Sequence, residues 1–127
     1  MCESEKRTFS REDRLKKRQD FRRCIVRGSR SVGRYVVVHL LPNDVGRTRL
    51  GAGSTKRLGN AVQRNRQKRL VREAFRLTRR ELPQGVDMVV LPKIPWREPA
   101  IGELKQDLIH AAAEAAAAMG HANNGQS

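Results

Sequence analysis

Between Gly59-Asn60 and Pro83 runs one long helical pattern, and it constrains the fold more than any other stretch. Proline 83 bars its predecessor from helical geometry, so the helix must end there. On a 3.6-residue wheel, residues 62–82 gather Leu70, Val71, Ala74, Phe75 and Leu82 into one arc, which must face a core. The opposite side is a ridge: Asn65, Arg69, Arg72, Arg76 and Arg80 follow at steps of four, three, four and four, with Arg66 and Lys68 on its shoulders. Like charges one turn apart repel by about a few tenths of a kcal/mol per pair. Phosphate is the expected compensation, because the planar fork of Arg matches its oxygens bidentately. The helix start near Asn60 to Gln63 is expected to add unpaired backbone N–H groups and the positive dipole end.

Charge is confined in the same way. Lys56 to Arg80 holds ten basic residues and one acid, Glu73; residues 1–80 hold 24 basic and 7 acidic, and residues 81–127 only 3 and 6. With an overall balance of +14, this surplus points to a polyanion, with solubility alone as the bland alternative. A chain of 127 residues with 4% aromatics makes one domain with a small aliphatic core, and leaves little room for a large cofactor pocket. Cys2 and Cys24 lie far apart and outside any Cys-x-x-Cys pair, which supports neither a disulfide framework nor a zinc site. The longest apolar run, Tyr35 to Leu41, is far short of a membrane span, and the first residues lack the apolar core of a signal peptide. The expectation is a soluble, cytoplasmic protein with no membrane partner.

Elsewhere the pattern predicts a helix over Lys17–Arg27 ending at Gly28, and a strand over Tyr35–Leu41 joined through Gly46 to a second strand near Arg49–Ser54 as a hairpin. A third strand is expected at Val86–Leu91. Ile101, Leu104, Leu108, Ala111, Ala115 and Met119 mark a closing helix. The result is an α+β fold, a small two-layer sandwich of order αββ(β)αβα. Residues 1–8 are read as a flexible N-terminus, 9–119 as a single RNA-binding domain and 120–127 as a disordered tail. Alternation puts Val36, Val38 and Leu40 on the core face and Tyr35, Val37, His39 and Leu41 on the other, where Tyr35 and His39 either stack on unpaired bases or pack at the sheet edge.

The run Lys56-Arg57-Leu58-Gly59-Asn60-Ala61-Val62, through Arg64-Asn65-Arg66, to Lys68-Arg69-Leu70-Val71-Arg72-Glu73-Ala74-Phe75-Arg76 closely resembles the signature of the bacterial ribonuclease P protein subunit. Arg14-Leu15-Lys16-Lys17 and Asp20-Phe21 resemble that family's first helix, and Arg49-Leu50-Gly51 the start of its second strand, so the likeness covers roughly residues 9–118. It implies a ribosomal protein S5 domain 2-like fold and a subunit without catalytic residues of its own. Such a subunit binds a catalytic RNA and the 5′ leader of precursor tRNA, with Mg2+ held mainly by RNA and the protein monomeric in the particle. Carried over by position, the RNA-facing residues are Lys56, Arg57, Asn60, Arg64, Asn65, Arg66, Lys68, Arg69, Arg72 and Arg76; the leader cleft takes Lys17, Phe21, Ile25, Tyr35, Val37 and His39. Where the family usually has a second aromatic one turn after Phe21, this chain has Ile25.

Other signals lead nowhere. Gly51-Ala52-Gly53-Ser54-Thr55-Lys56 has its Ser and Thr before the Lys, the reverse of a phosphate loop. His39, His110 and His121 are scattered, and no carboxylate cluster suited to two-metal chemistry stands out, which argues against a protein-only nuclease. A ribosomal or general RNA-chaperone protein is the alternative. An arginine ridge suits phosphates better than base edges, which disfavours a DNA-reading regulator.

Overall fold

The computed structural model describes residues 14, 15 and 17–126, with side chains described up to Met119. Helix α1 (Arg18–Arg27) leads into strands β1 (Ser29–Val32), β2 (Val36–Pro42) and β3 (Arg49–Ala52). A 3-10 turn at Lys56–Leu58 precedes α2 (Ala61–Thr78), a second at Arg79–Glu81 follows it, and β4 (Val86–Pro92) and α3 (Ile101–Gln126) complete the chain. The order αβββαβα is the expected α+β arrangement with the bracketed strand realised as β1. The proposed flexible residues 1–8 lie outside the described residues.

The expected hairpin between Tyr35–Leu41 and Arg49–Ser54 does not form. The sheet order is β1-β2-β4-β3: β4 runs antiparallel to β2 from Val36↔Pro92 to Pro42↔Val86 and parallel to β3 from Arg49↔Asp87 to Ala52↔Val90. The reason lies in β4, whose nearly continuous apolar run suits a central strand covered on both faces, whereas β3 is short and contains Gly51. The hairpin that does form joins β1 to β2, Ser29↔Leu40 to Val32↔Val37. Its turn is held by Asp107 of α3, which accepts the backbone N–H groups of Arg34, Tyr35 and Val36 at 2.7, 2.8 and 3.2 Å.

Val36, Val38, Leu40, Met88 and Val90 pack on Val71, Ala74 and Phe75 of α2 and on Leu104, Leu108 and Ala111 of α3. The other face of the sheet carries α1, through Cys24 against Val89 and Leu15, with Phe21, Ile25 and Leu41 around them. Leu15 is not helical; its N–H donates to Leu50 O at 2.9 Å, so the chain before α1 runs along β3. Phe21 lies on β3: a Cβ at Gly51 would meet its ring at 2.8 Å and one at Gly53 at 2.9 Å. Those glycines allow that approach, which gives the Gly-Ala-Gly stretch a packing role.

Helix α3 runs to Gln126, so residues 120–126, expected as a disordered tail, have helical backbone. Once the Ala-rich turns are formed, each further residue adds a hydrogen bond without a new nucleus, and a Gly or Asn costs only about 1 kcal/mol or less.

Candidate nucleic-acid interface

The α2 side is assembled from one helix and the turn before it. Asn60 caps α2 in a reciprocal box, its side chain accepting Gln63 N–H at 2.9 Å while Gln63 Oε1 accepts Asn60 N–H at 2.8 Å. The cap takes up the N–H groups of Asn60 and Gln63, so only part of the unpaired set expected at the helix start is left for a ligand. Gly59 makes the entry possible: its φ is +124°, and a side chain would collide with Gln63. Gln67 is buried, with its Oε1 accepting Ser54 Oγ–H at 2.6 Å and its Nε2 donating to Leu58 O at 2.9 Å. This clamp fixes exposed Lys56 and Arg57 against the ridge, a positioning role that the wheel did not assign because Gln67 and Thr78 share the apolar face as buried polar residues.

Asn65, Arg66, Arg69 and Arg80 are exposed, while Arg64, Lys68, Arg72 and Arg76 are half-buried. Burial pushes Arg72 down from the ordinary arginine value, and the positive charges of Arg14 and Arg69 push it further. Arg14, on the extended segment beside β3, thus joins the ridge, although nothing in the periodicity of α2 could reveal it. Two ridge arginines meet carboxylates of the chain itself. Arg76 pairs with Glu73 at 3.1 and 2.5 Å, and Arg66 with Glu98 at 2.6 and 2.7 Å.

The six candidate leader residues do not converge. Val37 and His39 line a groove of about 340 Å3 on the α1 side of the sheet, where α1 covers Leu41 and Val89 but leaves the end around Val37 and Leu91 open. Its other walls are Arg30 and Val32 of β1, Ser54, Thr55 and Leu58 of the connector, and Lys93 and Ile94 after β4. Phe21 and Ile25 are instead packed between α1 and the sheet, and Lys17 is the exposed N-cap residue of α1. Tyr35 precedes β2, so strict alternation fails there; it packs against the α2/α3 core beside Asp107 and His110, away from His39. Arg30 and Lys93 carry no local signal for this place, because the pattern assigns no residues to the bracketed strand and Lys93 lies in the turn after β4.

His39 is 5% exposed, and its Nδ1 has no hydrogen-bond partner among the described residues. Burial, then the charge of Arg30, holds it below the ordinary histidine value, so it is neutral at pH 7. Cys24 is inert by comparison: burial pushes its thiol up to about 12, and its Sγ–H lies between His39 O at 3.4 Å and Asp87 O at 3.3 Å. Among the described residues no three His, Cys, Asp or Glu side chains gather to hold a metal ion, and no helix is long and apolar enough to cross a membrane.

A family model described as Ribonuclease P matches residues 9–116. A ribonuclease P protein component of Shouchella clausii is 39% identical over 103 residues, which is 80% of this chain and 84% of that protein. One from Pelotomaculum thermopropionicum is 40% identical over 81 residues, 64% of this chain and 72% of its own. Among solved structures, the RNase P protein from Thermotoga maritima superposes with a TM-score of 0.70 at 30% identity, covering 78% of this chain and 94% of that one. A Staphylococcus aureus RNase P protein gives 0.68 at 32%, covering 78% and 91%.

Proposed function

The chain belongs to the ribonuclease P protein family, and from that premise we propose that the ridge of α2 docks on the catalytic RNA while the groove beside α1 takes the single-stranded leader of precursor tRNA. Membership makes the chain the protein subunit of a ribonucleoprotein endoribonuclease of tRNA 5′ processing, with ribonuclease P RNA as its partner. The ribosomal or RNA-chaperone alternative finds no support in these matches.

The observation that carries the docking is the ridge itself, with exposed Asn65, Arg66 and Arg69 and half-buried Arg72 along α2, where the charges of Arg14 and Arg69 add to burial in disfavouring the charged form of Arg72. Phosphate oxygens at that place relieve the repulsion and release counterions from the RNA. The groove suits a single strand: His39 sits on its floor as a neutral imidazole, and Arg30 and Lys93 stand on its walls. The Ser54–Leu58 connector lines the groove with Ser54, Thr55 and Leu58 and carries Lys56 and Arg57, so it sets the groove next to the start of α2.

The chain contributes binding and orientation, and we assign the magnesium of the particle to the RNA. The subunit acts as a single copy in the cytoplasm. The test is reconstitution: the purified chain, inert alone, should restore precursor-tRNA cleavage at low magnesium when mixed with a bacterial ribonuclease P RNA. Failure to bind that RNA at all would refute the reading.

A further inference from the structure

We propose that Glu98 is an intramolecular competitor of RNA phosphate, occupying the Arg66 fork in the free protein and giving it up on binding. This rests on the reading that α2 faces the catalytic RNA. Arg66 is the second arginine of Arg64-Asn65-Arg66, and its Nε and Nη2 donate to the two oxygens of Glu98 at 2.6 and 2.7 Å. That is the guanidinium edge which would grip a phosphate side-on, so phosphate and Glu98 cannot both hold it.

The pairing is built in by the chain rather than being a chance meeting of side chains. Arg76 finds Glu73 three residues away on its own helix, whereas the partner of Arg66 comes from 32 residues downstream. Glu98 lies between Trp96, packed against the α2/α3 core, and buried Pro99. The next peptide is tied as well, Ala100 N–H donating to Glu103 Oε1 at 3.1 Å. The carboxylate is therefore kept near Arg66 by its backbone, even when the fork turns away. It is also ionised at neutral pH, since the Arg66 hydrogen bond holds it below the usual glutamate range. The side chains remain 67% and 37% exposed, so water and salt screen the pair and it can open.

A surface pair of this kind resists an incoming phosphate modestly. Its removal should tighten RNA binding about two- to fivefold, the range that exposed ion pairs span. Affinity for ribonuclease P RNA is measured by filter binding at one fixed salt concentration for the full chain, E98Q, R66A and the E98Q/R66A double variant. Melting by circular dichroism checks each fold. The proposal expects E98Q to bind more tightly, R66A more weakly, and the E98Q gain to vanish when Arg66 is absent. Unchanged or weaker binding by E98Q makes Glu98 a brace and overturns the proposal. A gain that persists in the R66A background is a long-range charge effect and overturns it equally. If R66A binds as tightly as the parent chain, Arg66 leaves the RNA face and takes the proposal with it; if R66A loses affinity while E98Q gains none, only the competition falls.

Discussion

On α2 a single helix and its entry turn supply nearly every basic group, whereas the groove across the sheet draws its walls from β1, β2, the 54–58 connector and the turn after β4. The first surface needs only helical periodicity to come together; the second needs the whole sheet in register. Substitutions at the ridge should therefore act on affinity while the fold survives, and those around the groove should mix binding with stability.

The largest expected effect tests the ridge. Arg69→Ala with Arg72→Ala removes two charged donors and should weaken binding to ribonuclease P RNA by about 3 kcal/mol or more, at roughly 1.5–3 kcal/mol for each charge-assisted contact. Discrimination between a long and a one-nucleotide leader should be unchanged. Competition binding with the two precursor tRNAs reads both, and a lost leader preference would mean that ridge and groove are one site.

Phe21→Ala comes next and probes the opposite behaviour. Because the ring is half-buried on Gly51 and Gly53, its loss should lower stability by about 2 kcal/mol, below the range for fully buried Phe. Long- and short-leader substrates should then suffer alike. A selective loss for the long leader, with an unchanged unfolding midpoint, would return Phe21 to the groove as a stacking platform. Asn60→Ala is milder: losing the cap should cost about 1 kcal/mol in urea unfolding, and RNA affinity should fall only as far as the first turn of α2 frays.

The same contrast explains what could be read from the chain. The ridge from Asn65 to Arg76, the apolar arc from Leu70 to Phe75, the β2 core face and the closing helix all repeat at 3.6 or 2 residues and appear in place, while Arg80 and Leu82 fall beyond α2, in and after the 3-10 turn. Pairing of distant segments has no such local signature. Gly46 within a six-residue linker looks like a hairpin turn, yet β4, 44 or more residues beyond β2, takes the place between β2 and β3. Arg14 beside Arg72, Glu98 on Arg66 and Lys93 in the groove are contacts of that long-range kind. Tyr35 shows the limit of alternation, since one residue ahead of β2 the backbone has already turned its side chain to the other core.

The smallest effect is expected at His39, where the two proposed surfaces can be separated most cleanly. His39→Phe keeps an aromatic ring on the groove floor and removes both ring nitrogens, so it should weaken binding of a long-leader precursor by about 1 kcal/mol, the value of one hydrogen bond, and leave the one-nucleotide leader untouched. Unaltered long-leader affinity would mean that the ring alone matters. The variant also carries a pH signature. His39 sits below its ordinary 6.5 in the folded chain, because burial and Arg30 disfavour the imidazolium, so the unfolded chain binds more protons in that window. Stability from neutral His39 is complete above about 6.5 and declines as pH falls toward the lowered folded value. Urea midpoints of the parent chain should fall over that window more steeply than those of His39→Phe. Parallel curves would show that the imidazole is solvated, and that the floor of the groove is wetter than its 5% exposure indicates.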